Sequence, residues 1–151
     1  MRDAFLLDSG ASSHLIKRSS LIKIEIKRIR SSAMPMTLET VNGSRDATEE
    51  VEVWIPVLSS LLTFYVVNGR TPNLISLDRL CDDEKFHYNN EPNRPSFLWR
   101  QSDNPRIQCK TLCNVPIIAA AVANESIIDK PGDGEVEAEA KAFAEDDTKS
   151  N

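Results

Sequence analysis

The sequence predicts an all-β domain over residues 1–118, followed by a disordered acidic tail over residues 119–151. Three observations indicate this architecture. Apolar residues alternate with other residues in short segments, as they do in half-buried strands. Turn signals such as Asn-Gly separate these segments. No helix of ordinary length is evident before the tail, and a chain of 151 residues suits one domain with a core.

The strands are predicted in chain order. Met36–Gly43 leads into an Asn-Gly turn, which indicates a β-hairpin. The return strand Thr48–Leu58 has valine or isoleucine at every second position from 51 to 57, and Leu61–Val67 forms a third strand. A helical turn is predicted over Ser76–Asp83, with Ser76 as its N-cap. Further short strands are predicted at "KFHY", "SFLWR", "RIQCKTL" and "VPII".

Charge separates the tail from the body of the chain. Glu125–Asn151 contains nine acids and three bases, a net charge of −6, whereas the whole chain carries −5. The residues before it therefore carry about +1 by subtraction. The tail is rich in Glu, Ala and Asp and has few large apolar residues. Such a composition cannot bury enough surface to offset the entropy lost on ordering, which predicts disorder.

Composition and cysteine use restrict the class of protein. No apolar run approaches a membrane span, and Phe5–Leu7 is too short for the apolar region of a signal peptide. The three cysteines are odd in number and loosely spaced, which favours a reducing compartment and a cytoplasmic protein. Cys109, Cys113 and His87 lack a further ligand pair that would complete a metal site. We therefore expect no metal, no other cofactor and no membrane partner.

One basic cluster, Lys23–Ser31, stands out in the body. Its isoleucines, together with Ile22, recur mostly at every second position, so it is predicted to be a strand with a solvated face. Because the body is nearly neutral, it shows no basic footprint for nucleic acid. Nucleic acid is therefore not expected as a partner, and RNA binding by Lys23–Arg30 remains a secondary hypothesis.

The stretch "FLLDSGASSHLI", Phe5–Ile16, carries the clearest chemical signal. An apolar strand runs into Asp8, and small residues follow at once. A buried carboxylate is costly without partners, so its position calls for a reason. Asp-Ser-Gly is also common in ordinary turns. An apolar strand followed by Asp-Ser/Thr-Gly-Ala is, however, how aspartic proteases build their catalytic loop.

This stretch resembles the protease segment of copia-type retrotransposon polyproteins, whose members typically read Leu-Asp-Ser-Gly-Ala-Ser/Thr-x-His. They belong to the retropepsin family of retroviral-type aspartic proteases. Leu38–Val57 resembles the flap hairpin and its return strand. Thr63–Leu80 resembles the stretch that crosses behind the active-site loop and enters a short helix. The resemblance covers residues 5–80 and is looser over residues 81–118.

The resemblance implies a fold and a set of site residues. The expected fold is a retropepsin-like closed β-barrel half with a flap hairpin and one short helix. His14 is expected to be a packing residue. The implied site comprises the catalytic Asp8; the active-site loop Ser9, Gly10 and Ala11; the flap Thr40, Val41, Asn42, Gly43 and Ser44; and the loop-supporting Leu74, Ile75, Ser76 and Arg79.

The resemblance also implies how these residues act. Gly10 would let a main-chain N–H reach the carboxylate, Ser9 would bond across to a partner loop, and Ala11 would pack against a neighbouring loop. This class of hydrolysis needs two carboxylates, and the sequence holds one Asp-Ser-Gly. A homodimer is therefore expected, in which two copies of Asp8 share a proton and cleave an extended polypeptide, such as the polyprotein of the element.

The start of the chain bears on this dimer. Family members carry a strand or two before the catalytic loop, and part of that segment joins the dimer interface. Only seven residues precede Asp8 in this sequence. We expect from this an N-terminally truncated domain and a weak dimer.

Two other function classes stay open. One is a catalytically decayed protease that acts as a dimerisation or peptide-binding module. The other is the nucleic-acid-associated domain that Lys23–Arg30 would serve. A serine or cysteine hydrolase is disfavoured, because no Gly-x-Ser-x-Gly elbow occurs.

Overall fold

The structure is a computed structural model that describes residues 2, 4–40, 43–100 and 106–120. The predicted acidic tail and the flap residues Val41 and Asn42 therefore lie outside the described residues. Within the described residues the strands are β1 (Phe5–Asp8), β2 (Leu15–Lys17), β3 (Arg30–Thr40), β4 (Gly43–Ile55), β5 (Ser60–Val67), β6 (Leu74–Ser76), β7 (His87–Asn89), β8 (Phe97–Trp99), β9 (Ile107–Gln108), β10 (Lys110–Leu112) and β11 (Val115–Ile118), and the helices are α1 (Lys23–Lys27) and α2 (Leu77–Glu84).

The described strands form an open eight-stranded mixed sheet in the order β10-β11-β1-β6-β2-β5-β4-β3 and a three-stranded antiparallel sheet in the order β7-β8-β9. In the large sheet β1 pairs with β6, and β2 with β5, in parallel. The fold of the described residues is thus mixed α/β, and the prediction of an all-β closed barrel half is wrong. A barrel closes only when its two edge strands pair, and here β10 and β3 are the separate ends of the strand order.

Strand β6 lies between β1 and β2 and joins them. Leu74 pairs with Leu6 of β1 in parallel and with Leu15 of β2 in antiparallel register. The same parallel register sets Ser76 opposite Asp8. A parallel pair requires a long connection. Here that connection is the whole stretch from β2 to β5, so residues distant in sequence meet at the end of β1.

The core lies under these central strands. In β1 the residues alternate between buried and half-buried, which points the carboxylate of Asp8 to the half-buried side. Phe5 and Phe64 are buried, with ring centroids 5.4 Å apart. Ile75 and Leu80 are fully buried. Each such side chain contributes roughly 1.5–3 kcal/mol by leaving water, so the site rests on well-packed elements.

Helix α1 replaces the strand predicted for the basic cluster, and that prediction is wrong. The isoleucine spacing suggested a strand, but the contacts of Glu25 favour a helix here. Its Oε1 accepts the N–H of Ile22 at 3.0 Å, which satisfies a free donor at the helix start. Glu25 is also buried against Arg2, whose Nη2 lies 2.9 and 3.0 Å from the two carboxylate oxygens. Ile24 therefore points outward and is 49% exposed.

The predicted hairpin is present as β3 and β4. Thr40 lies opposite Gly43, whose φ of +112° suits glycine because residues with a side chain rarely adopt this backbone angle. The register shifts between Ser31 and Met36, so β3 bulges in its middle. The return strand was predicted to end at Leu58. It ends at Ile55 instead, because a 3-10 turn begins at the following proline.

One compact unit spans Met1–Val53 with Leu61–Ala119, and Trp54–Ser60 belongs to a second. The described site residues all lie in the first unit. The cysteines are present as free thiols. No helix within the described ranges is long and apolar enough to cross a membrane.

The other local predictions can be compared with the elements directly. Leu61–Val67 forms most of β5, and the four later segments form β7 to β11. The predicted helical turn is α2, and Ser76 is its N-cap. These predictions are confirmed.

Candidate active site

The site is built around Asp8, the last residue of β1. The backbone N–H of Gly10 donates to Asp8 Oδ1 at 2.7 Å, a short contact typical of a charge-assisted hydrogen bond. The expectation that Gly10 lets a main-chain N–H reach the carboxylate is thus confirmed. A Cβ added at Gly10 would lie 3.3 Å from the same oxygen, so a larger residue there would press on the carboxylate. Ser9, between them, is exposed.

Ser76 supports this loop from the neighbouring strand. It is fully buried and lies opposite Asp8 in the parallel register. Its Oγ donates to the carbonyl oxygen of Ala11 at 2.7 Å and accepts the N–H of Arg79 at 3.2 Å. One hydroxyl therefore caps helix α2 and also anchors the loop that follows Asp8. A glycine at this position would provide neither bond.

His14 holds the same strand through its ring. The ring is buried, its Nδ1 accepts the N–H of Ser76 at 3.0 Å, and it packs against Phe64 with centroids 5.4 Å apart. Burial, followed by the positive charge of Arg79, lowers the pKa of His14 from 6.5 to about 4, although Asp83 opposes the shift. The imidazole is therefore neutral at physiological pH. His14 is the packing residue that was expected.

The remaining loop-supporting residues also converge here. Arg79 Nε donates to the carbonyl oxygen of Ser12 at 3.0 Å, and its Nη1 lies 3.2 Å from Asp83 Oδ2. Leu74 joins β1 to β2, and Ile75 packs in the core. The structure thus brings Ser76 and Arg79 to the loop that follows Asp8, and it places Leu74 and Ile75 beside Leu6 and Leu7 of β1.

The predicted flap residues lie elsewhere in the sheet. Strands β6, β2 and β5 separate β1 from β4 in the strand order. Ser44 lies opposite Glu39, and its Oγ donates to both carboxylate oxygens at 3.0 Å. Gly43 and Ser44 are exposed, as are the next residues of β4 up to Asp46. The backbone of Thr40 pairs with that of Gly43. The structure does not bring these flap residues together with Asp8.

Sequence reasoning missed Asn73. It is fully buried, and its Oδ1 accepts the N–H of Lys17 at 2.9 Å while its Nδ2 donates to Ser20 Oγ at 3.0 Å. Its backbone carbonyl accepts the N–H of Leu6 at 3.0 Å. Asn73 therefore ties β1 and β2 together just before β6. The available signal was a polar residue set directly before the apolar pair Leu74–Ile75.

This arrangement can present one carboxylate per chain at a supported strand end. Among the described residues, no group of three His, Cys, Asp or Glu side chains could hold a metal ion. No protein-family model and no curated protein matches the sequence. The function is therefore argued from the geometry and from the motif itself.

Proposed function

We propose that this chain is an aspartic endopeptidase whose active site is completed by a second copy of the chain. The observation that carries the proposal is the Asp8 carboxylate at the end of β1, held by the N–H of Gly10 at 2.7 Å. A group that must accept and give up a proton repeatedly has to be held in position. The buried hydroxyl of Ser76 and the ring of His14 stabilise the loop from behind.

The chemistry follows from pairing two copies of Asp8 about a twofold axis. Two carboxylates roughly 3 Å apart cannot both ionise, so they share one proton. The ionised Asp8 accepts a proton from a water molecule held between the two. The resulting hydroxide attacks the scissile carbonyl carbon, while the protonated Asp8 donates its proton to the carbonyl oxygen. The tetrahedral intermediate then collapses: the Asp8 that took the proton of the water gives it to the leaving amine nitrogen, and the other Asp8 takes back the proton from the diol hydroxyl, which restores the shared-proton pair.

An extended polypeptide is the substrate that suits this site. Strand-like substrates pair main chain to main chain, and this mode requires exposed backbone near the carboxylates. The outer part of the β3-β4 hairpin is exposed, including Gly43, Ser44 and Arg45. We infer that in the dimer this part closes over the bound polypeptide, which is the role of a flap.

The substitution Asp8→Asn tests the proposal. Asn is nearly isosteric with Asp but cannot share a proton, so we expect all measurable peptidase activity to be lost while the fold is kept. Activity is measured on a peptide mixture at mildly acidic pH, and the fold by circular dichroism. Asp82→Asn, at an exposed aspartate of α2, is the matched control and should keep its activity.

Mixing the two proteins tests the shared site. An excess of the Asp8→Asn chain should draw wild-type chains into mixed dimers and suppress their activity. Undiminished cleavage by Asp8→Asn, or the lack of any suppression in the mixture, would contradict a two-copy aspartic site. A wild-type protein that cleaves nothing at any concentration would favour a non-catalytic module.

A further inference from the structure

The three-stranded sheet carries an aromatic cluster on one face. The register of the sheet pairs His87 with Trp99, and their rings stack with centroids 5.2 Å apart at an interplanar angle of 23°. Phe97 lies two residues before Trp99 on the same face, with centroids 5.3 Å apart. Leu98, between them, points to the opposite face and is fully buried. We call His87, Phe97 and Trp99 the aromatic face.

An arginine completes this face. The guanidinium carbon of Arg106 lies 4.5 Å from the Phe97 ring centroid and 5.7 Å from that of Trp99. His87 and Arg106 are exposed, whereas the two larger rings are half-buried. The face therefore offers flat π surfaces and a positive charge to the same partner.

The charge of the sequence segment that carries the aromatic face differs from that of the chain. The whole chain carries −5, but the segment from Lys85 to Lys110 has five bases and two acids and carries +3. The bases are Lys85, Arg94, Arg100, Arg106 and Lys110, and the acids are Glu91 and Asp103. The near-neutral body that argued against a nucleic-acid partner is an average, and the stretch from Lys85 to Lys110 within it is positive, although three acids, Asp82, Asp83 and Glu84, directly precede it.

We propose that the aromatic face binds single-stranded nucleic acid. Bases stack on aromatic rings whatever their sequence, and arginine adds both a cation–π contact and a phosphate partner. An anionic peptide would satisfy the charge but would leave the rings without planar partners. A duplex would hide its bases from the rings. This inference is independent of the proposed peptidase, because none of its residues belongs to the loop of Asp8.

The test is a binding titration on the full chain with oligonucleotides of deoxythymidine and of uridine. Trp54→Phe leaves Trp99 as the single tryptophan, so that its fluorescence reports stacking at the aromatic face. We expect quenching on binding by either oligonucleotide. We also expect the affinity to fall steeply as the salt concentration rises. Comparing the two oligonucleotides shows whether the 2′-hydroxyl of RNA contributes.

Variants separate stacking from charge. Trp99→Ala should weaken binding by roughly five- to a hundred-fold, measured by anisotropy of a labelled oligonucleotide. Arg106→Gln changes an exposed residue, so the fold is kept, and the slope of log affinity against log salt should fall by about 0.7. Lys23→Gln in α1 removes one positive charge outside the segment Lys85–Lys110 and should change neither quantity.

Three results would overturn the inference. The first is no binding at low salt. The second is an equal loss of affinity in Lys23→Gln and Arg106→Gln, which would indicate general charge attraction. The third is displacement of the oligonucleotide by polyaspartate added at the same concentration of negative charge, which would indicate an acidic polypeptide partner.

Discussion

The loop of Asp8 and the outer part of the β3-β4 hairpin are both predicted site regions, but they are built differently. The loop is held by buried groups: Ser76 is fully buried, and His14 is 7% exposed. The hairpin end is held by exposed side-chain bonds, such as the bond from Thr37 Oγ1 to Asp46 Oδ1 at 3.0 Å.

This difference has energetic consequences. A buried donor or acceptor that loses its partner keeps its desolvation penalty, about 1–3 kcal/mol. An exposed group that loses its partner bonds to water instead. Substitutions behind Asp8 should therefore cost far more than equivalent substitutions in the hairpin. Under the proposed function, the loop would hold the carboxylate in place, whereas the hairpin would move over a substrate.

The largest expected effect comes from pH. His14 has a folded-state pKa of about 4 against an ordinary value of 6.5. As the pH falls, His14 takes up its proton near pH 6.5 in the unfolded state but only near pH 4 in the folded state. The free energy of unfolding is therefore highest above pH 6.5 and decreases as the pH drops towards 4. The loss is about 3 kcal/mol, at ~1.4 kcal/mol for each tenfold change in proton affinity. Urea unfolding at pH 7, 5.5 and 4 measures it.

His14→Asn is the control for this titration. Asn keeps an acceptor near the position of Nδ1 but does not titrate, so its stability should depend less on pH, even though it is lower at pH 7. An unchanged pH dependence in this variant would mean that groups other than His14 cause the loss of stability at low pH.

The next effect is expected from a pair of serines. Ser76→Ala removes the cap of α2 and leaves the carbonyl of Ala11 without its partner, so the free energy of unfolding should fall by about 2 kcal/mol. Ser44→Ala removes an exposed bond to Glu39 and should change it by less than about 0.5 kcal/mol. Chemical denaturation compares the two. Equal losses would remove the distinction between the two regions.

The smallest effect is expected from a pair of glycines. Gly10→Ala places a Cβ 3.3 Å from Asp8 Oδ1, so peptidase kcat should fall by about tenfold with little loss of stability. Gly43→Ala meets no atom within 4 Å but has a φ of +112°, so it should lose about 1 kcal/mol of stability. Kinetics and thermal unfolding on both variants check the contrast. A fall in kcat for Gly43→Ala alone would reverse it.

Elements whose stability is local could be predicted from the sequence. The Ser76 cap lies next to the helix it starts, and the hairpin needs only a turn and two alternating strands. The contact of Gly10 with Asp8 is likewise local, two residues apart. In each case the residues that decide the structure are neighbours in the chain.

Features that depend on distant partners could not be predicted. The periodicity of Leu74–Ser76 does not indicate that this strand lies between β1 and β2, so the sequence predicts a closed barrel where the structure has an open mixed sheet. Helix α1 depends on Glu25 meeting Arg2, which is 23 residues away. The supporting role of Asn73 depends on Lys17, 56 residues away. Such pairings are properties of the fold and cannot be found by reading periodicity alone.

The bulge in β3 has a consequence for how copies of this chain meet. Among the described strands β3 is an edge of the open sheet, and a long flat edge with unpaired backbone groups invites uncontrolled polymerisation. Here Pro35, which has no N–H to donate, lies inside the register shift between Ser31 and Met36. The eleven-residue edge is thereby divided into two short pieces, neither of which is a good template for an incoming strand. At this edge the sheet can stay open without recruiting further chains into a fibre.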